Sequence, residues 1–163
     1  MSGRTTRGRG VPLASERDAS LREFAGYTMK RAFHVIQSDV NRVLEPLGLR
    51  MVSFSALVVI ADNPGLRQSE LAETLMIERP NLVLVLDTLE RMGLITRNVA
   101  PEDRRALAIE PTAEGRRLCE AAKEEVRRHD RRMTQGLDEC ERADLIAALR
   151  RIESATAREE NDG

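Results

Sequence analysis

The sequence predicts a mainly α-helical chain that carries one small β-hairpin, and three observations lead there. Apolar residues recur at three- and four-residue spacings over most of the length, the signature of amphipathic helices. Only LITRNV and ALAIE, either side of the polar loop APEDRR, pair two short β-prone runs closely enough for a hairpin. The composition agrees: 163 residues are 41% hydrophobic and 33% charged but only 2% aromatic, with no Trp, which suits helices packed through Leu, Val and Ala.

The N-terminal MSGRTTRGRG has arginines with no apolar run behind them, so residues 1–16 are expected to be a disordered basic tail rather than a secretory signal. From Glu16 to Leu47, Leu21, Phe24, Thr28, Val35, Ile36, Val40, Val43 and Leu44 mark one long helix, ended by Pro46 and Gly48. A second helix is expected from Ser53, whose hydroxyl can cap it, through Phe54, Leu57, Val58 and Ile60 to the turn Asn63–Pro64–Gly65. A short third helix places Leu71, Ala72 and Leu75 on one face.

The next segment, IERPNLVLVLDTLERMGLITR, contains LVLVL, which taken alone reads as a buried strand. Its flanks decide otherwise. Pro80 suits a first helical turn, where its missing N–H has no intrahelical partner, and Gly93 stands where a helix end takes a left-handed residue. Leu82, Val85, Leu86 and Leu89 then form one stripe at i, i+3, i+4 and i+7. After the hairpin, Thr112 caps a charged helix with Leu118, Ala122, Val126 and Met133 near one side. A last helix starts at Asp138, with Glu141 completing a capping box, and carries Leu145, Ile146, Leu149 and Ile152.

A short helix, a tight connection, a second helix and a hairpin make a winged helix-turn-helix, assigned to residues 48–111. The long flanking helices, 17–47 and 112–158, are too thinly apolar to belong to that module; they are expected to pack on each other and on a second subunit, with a disordered tail at 159–163.

Net charge is −1, which by itself announces no nucleic-acid partner; the distribution of cations matters more. Apart from Lys30 and Lys123 the cations are all Arg, suited to bidentate recognition of phosphates and guanine edges, though Arg richness also follows from genomic base composition. Two cysteines, Cys119 and Cys140, and two histidines, His34 and His129, form no disulfide framework and no zinc-ligand cluster. No nucleophile–base arrangement or Gly-rich phosphate loop is readable, so no catalytic residue, metal or cofactor is expected. No run of about 18 apolar residues exists, so no membrane partner is expected and the location is read as cytoplasmic.

Three stretches resemble the MarR family of bacterial transcription regulators. LGLRMVSFSALVVIADNPG is similar to its second helix and turn, and QSELAETLMIERPNLVLVLDTLERMGLITR to its helix-turn-helix running into the wing. PEDRRALAIEPTAEGRRL is similar to its D-x-R wing followed by T-x-x-G, and the flanking helices match in pattern. The resemblance implies a homodimer with intertwined terminal helices. The resemblance further implies that this dimer sits on a near-palindromic double-stranded DNA operator as a repressor and is released by a small aromatic ligand.

On the helix from residue 77 to 93, the side opposite the core stripe presents Arg79, Pro80, Asn81, Leu84 and Thr88, with Val83 at the edge. Arg79 has the chemistry to read guanine and Asn81 adenine. Many family members carry hydroxyl and basic residues where this chain has Pro80, Val83 and Leu84. Val83 and Leu84 are open to two readings, contact with thymine methyls or additional core. Asp103, Arg104 and Arg105 at the wing tip suit entry of an Arg into the minor groove, with Asp103 or Glu78 holding a second Arg. Gln68, Ser69 and Arg97 complete the expected DNA-contacting set.

The family's effector site, between the first, second and fifth helices, maps to Phe24, Tyr27, Lys30, Arg31, His34 and Phe54. GYTMKRAF through IERPNLVLVLDTLE resembles the branch that senses hydroxycinnamoyl-CoA thioesters. There Lys30 and Arg31 would meet CoA phosphates; as ordinary solvated charges they would leave room for a small free phenolic acid instead. Two alternatives stand beside this reading: a cysteine-based redox-sensing regulator of the same fold, and a helical adaptor without a DNA role.

Overall fold

The computed structural model describes residues 17–100 and 103–159, and for residues 99, 100, 103–107 and 156–159 the backbone alone. The tail expected at 1–16 and residues 160–163 lie outside the described residues. The chain divides into two compact units between Ser38 and Asp39.

The first unit opens with a 3-10 turn, Ala19–Glu23, and continues into helix α1, Ala25–Leu44. The single helix expected from Glu16 is interrupted at Phe24, whose backbone is extended. Side-chain hydrogen bonds explain the break. Asp18 accepts from Arg22 Nε at 2.9 Å and from the Tyr27 hydroxyl at 2.8 Å, and the Thr28 hydroxyl donates to the Arg22 carbonyl at 3.1 Å. These bonds tie the turn to the first residues of α1 in place of helical continuity.

In the second unit, the end of α1 buries Val40 and Leu44, and a 3-10 turn, Glu45–Leu47, follows. Gly48 then takes the left-handed conformation at φ 69°, as its place after Pro46 anticipates. Helix α2 spans Met51–Asp62 and starts two residues earlier than expected. Ser53 is therefore not the cap but the third helical residue. Its hydroxyl accepts from the Arg50 N–H at 2.8 Å, while Asn41 Oδ1 accepts from the Met51 N–H at 2.8 Å. A short strand β1, Leu66–Arg67, leads into α3, Gln68–Leu75, and α4, Arg79–Arg91, follows with LVLVL in its middle. Leu82, Leu86 and Leu89 are fully buried and Val85 packs beside them, so the stripe faces the core as its spacing requires.

Gly93, at φ 70°, turns the chain into β2, Ile95–Ala100, which pairs antiparallel with β3, Asp103–Pro111. The hairpin is the expected one, but the sheet has three strands in the order β1-β3-β2, because Leu66 and Arg67 pair with Ile109 and Ala108. Two residues carry no readable strand period, so β1 had no signal of its own.

Helix α5, Ala113–Met133, is capped by Thr112, whose hydroxyl accepts from the Gly115 N–H at 2.9 Å and donates to the Gly93 carbonyl at 2.7 Å. The Thr112 N–H donates to the Leu94 carbonyl at 3.0 Å. T-x-x-G thus fastens the exit of the hairpin to the end of α4. The inward face of α5 is Gly115, Cys119, Ala122 and His129, rotated from the predicted stripe; Leu118 and Val126 are only partly covered. Helix α6, Glu139–Glu159, begins with the reciprocal Asp138–Glu141 capping box at 2.9 Å in each direction. It extends through Glu159, one residue into the expected tail. Among the described residues no single helix is long and apolar enough to cross a membrane.

Candidate nucleic-acid interface

Helix α4 is held by its buried leucines, and the opposite side is left to solvent. Arg79, Pro80, Asn81, Val83 and Leu84 are exposed, with Thr88 half-buried. Neither the Arg79 nor the Asn81 side chain has a hydrogen bond or ion pair among the described residues, so both keep their full donor and acceptor sets. Leu84 is 67% exposed, so it is not core. Val83, at 37%, stands at the edge. Gln68 and Ser69 open α3 and are half-buried; the first turn there is capped by Glu70, which accepts from the Arg67 N–H at 2.8 Å.

Arg97 is placed differently from its neighbours in the expected set. It stands on β2, its side chain only 20% exposed, and donates to Asp87 at 2.7 Å and through Nε to Glu90 at 3.0 Å. The Arg97 guanidinium holds the Glu90 carboxyl below its ordinary value, and the Glu90 and Asp87 carboxylates raise Arg97 further. Its charge is therefore neutralised within the chain, bracing the wing against α4. The readable signal for this brace was the Asp87–Glu90 spacing of three on α4 ahead of a β-strand Arg. The backbone of Asp103, Arg104 and Arg105 opens β3, with Ala100 opposite Asp103; their side chains lie outside the described residues.

Within the first unit, Tyr27, Lys30, Arg31, Phe33, His34 and Val35 line a cleft of about 470 Å³. Four of the six expected effector residues come together there. Phe24 is exposed and outside the lining, and Phe54 packs against the core of the second unit. Phe33 and Val35 stand outside the expected set; Val35, one of the residues that mark the long helix, is exposed, and between Ala25 and Ser38 only Tyr27 and Met29 are half-buried. The Tyr27 hydroxyl is committed to Asp18, which raises the phenol's pKa and lowers that of the carboxyl, where Arg22 acts first. Cys119 is buried, and desolvation pushes its thiol up, away from the reactive thiolate; Cys140 is exposed.

A short helix, a turn at left-handed Met76, a second helix with an open outward face and a braced hairpin define a winged helix-turn-helix protein. A family model described as MarR matches residues 49–107. The transcriptional regulatory protein assigned to the hcr operon of Thauera aromatica is 37% identical over 99 residues, 61% of this chain and 60% of that one. The chain thus spans 60% of the length of that relative. The transcriptional repressor Rv2887 of Mycobacterium tuberculosis is 30% identical over 129 residues, 79% of this chain and 93% of that one. The repressor CouR bound to a 23-mer DNA duplex gives a TM-score of 0.81 at 37% identity, covering 88% of this chain and 99% of that one. CouR bound to p-coumaroyl-CoA gives 0.75 at 36% identity, covering 83% and 95%. The chain belongs to the MarR family of transcriptional regulators.

Proposed function

We propose that the protein is a homodimeric repressor that reads a near-palindromic DNA operator through α4 and leaves it on binding an aromatic acyl-CoA thioester. The observation that carries the reading is the outward face of α4, where Arg79 and Asn81 have no partner among the described residues, while Arg97 on β2 is neutralised by Asp87 and Glu90. Cations without an internal partner are those left to meet phosphates or base edges. Arg104 and Arg105 at the wing would supply sequence-independent grip. CouR, the relative with the same architecture, is described on a 23-mer duplex, which supports the assignment.

Dimerisation has its own support. Leu145, Ile146, Leu149 and Ile152 are 39–49% exposed along α6, and Phe33, Val35 and Ile36 are exposed on α1. Contiguous apolar helix faces of this length are stable when a second copy covers them. In this reading residues 17–47 and 112–158 make the dimerisation region and 48–111 the DNA-binding module.

For the ligand, the α1 cleft sets the Tyr27 and Phe33 rings beside His34 and the cations Lys30 and Arg31, an apolar slot with a charged rim. An aromatic ring joined to a phosphate-bearing carrier has that pattern of surfaces, and CouR is described with p-coumaroyl-CoA. A ligand releases DNA only by binding the free protein more tightly than the DNA-bound one. The test is displacement of a fluorescent promoter duplex by p-coumaroyl-CoA and by p-coumarate, with wild type and Arg31→Ala. Release by the thioester alone, blunted in the variant, is expected. Equal release by the free acid would overturn the thioester assignment.

A further inference from the structure

The outward face of α4 follows Asn81, Leu84, Thr88 and Arg91, and its lower half is occupied with itself. The Thr88 hydroxyl donates to the Leu84 carbonyl at 2.9 Å and accepts from Arg91 Nη2 at 3.2 Å, while Arg91 Nε donates to the Asp87 carbonyl at 3.2 Å. The single hydroxyl proton of Thr88 is thereby committed to its own helix. Between this closed pair and Asn81 stands Leu84, the most exposed large apolar side chain on α4. Beside it a cleft of about 320 Å³ opens, with Val52, Val85 and Thr88 in its wall and the one charged lining residue, Arg50, on the α2 side. Ser53, also in that wall, has its hydroxyl engaged with both the N–H and the carbonyl of Arg50. On α4 itself the centre of the outward face is therefore Leu84, with the Thr88 hydroxyl beside it already engaged.

Major-groove edges present hydrogen-bond donors and acceptors at every base, and a single apolar group, the C5-methyl of thymine. A polar edge opposite Leu84 would lose water and gain no partner. A thymine methyl there would gain burial. We propose that Leu84 is a specificity-determining residue that reads the C5-methyl of a thymine at one position in each operator half-site. This rests on α4 being the DNA-reading helix.

The test starts from a duplex selected by the intact protein from a random-sequence library. Thymines are replaced by deoxyuridine one symmetric pair at a time, which removes the methyl and keeps the base pair and its O4 acceptor. One pair should weaken binding about fourfold per half-site, or about fifteenfold for the dimer, as expected for loss of one buried methyl at each. Leu84→Ala should bind the thymine and uracil duplexes alike, and Leu84→Met should keep the preference. Wild-type protein indifferent to every uracil pair, or a Leu84→Ala variant that retains the full preference, overturns the proposal. A library from which no duplex is enriched overturns the DNA-reading assignment itself.

Discussion

Replacing Gly115 by alanine should destabilise the protein and loosen the wing, against what helix propensity predicts. Gly115 lies in the first turn of α5, where an added Cβ would stand 1.9 Å from the Leu94 carbonyl oxygen and 2.8 Å from its carbon. Both atoms are backbone of the residue just before β2, so no side chain can swing away. The backbones of α5 and β2 would have to part by roughly 1 Å, against a core packed to crystal-like density. Overpacking of that kind costs about 1–3 kcal/mol and sometimes more. Propensity alone would favour alanine over glycine by up to about 1 kcal/mol, so the two effects have opposite signs and the measurement decides between them. Shifting β2 also disturbs the bonds from Thr112 to Gly93 and Leu94 that fix the hairpin's exit. Urea unfolding followed by circular dichroism reads the stability, with Thr112→Ala as the comparison for a lost cap at about 1 kcal/mol. A Gly115→Ala protein as stable as wild type would refute the reasoning, since it would mean that T-x-x-G holds nothing.

Three further outcomes follow from the same geometry. Arg97→Gln should lower the unfolding midpoint, more at low salt than at high, because it unlinks β2 from Asp87 and Glu90; an unchanged midpoint would remove the brace. Glu90, held below its ordinary pKa by Arg97, and Asp39, held down by Arg132, contribute stability that is fully present above the ordinary carboxylate range near pH 4 and is lost as pH falls through their lower folded values. Acid titration of the urea midpoint should therefore be flat above about pH 5 and fall below about pH 4, and Arg97→Gln should weaken that fall. Ile146→Asp with Leu149→Asp should yield monomers or insoluble protein by light scattering; a wild-type chain that is itself a monomer would contradict the dimer.

The sequence carried the helix order because its punctuation is chemical. Pro80 and Gly93 bracket α4 so firmly that LVLVL reads as helix despite its strand-like composition, and Thr112 and the Asp138–Glu141 pair act as the caps they resemble. What stayed hidden depends on distant partners. The α2 start at Met51 is set by Asn41, ten residues earlier, and β1 exists only because β3 passes beside it. Cys119 and His129 face inward on α5, although the predicted stripe of Leu118 and Val126 looked the more apolar choice. At the candidate interface, spacing sorted Arg79 and Asn81 to the open side of α4. It could not show that Arg97 is bound to two carboxylates, or that Phe54 belongs to the core, since both depend on which elements meet.

The central claim, that α4 and the wing read duplex DNA, is tested most directly by fluorescence anisotropy on the duplex upstream of the protein's own coding sequence against a shuffled duplex of equal length. Wild type, Arg79→Ala and Arg104→Ala are titrated at several salt concentrations. The account predicts at least about a thousandfold preference for the native duplex. It also predicts a log–log salt dependence that flattens by about one in Arg104→Ala. Arg79→Ala should lose about 1–3 kcal/mol at one base position only. Equal affinity of wild type for the native and shuffled duplexes would contradict it, as would an Arg79→Ala variant that weakens every sequence alike.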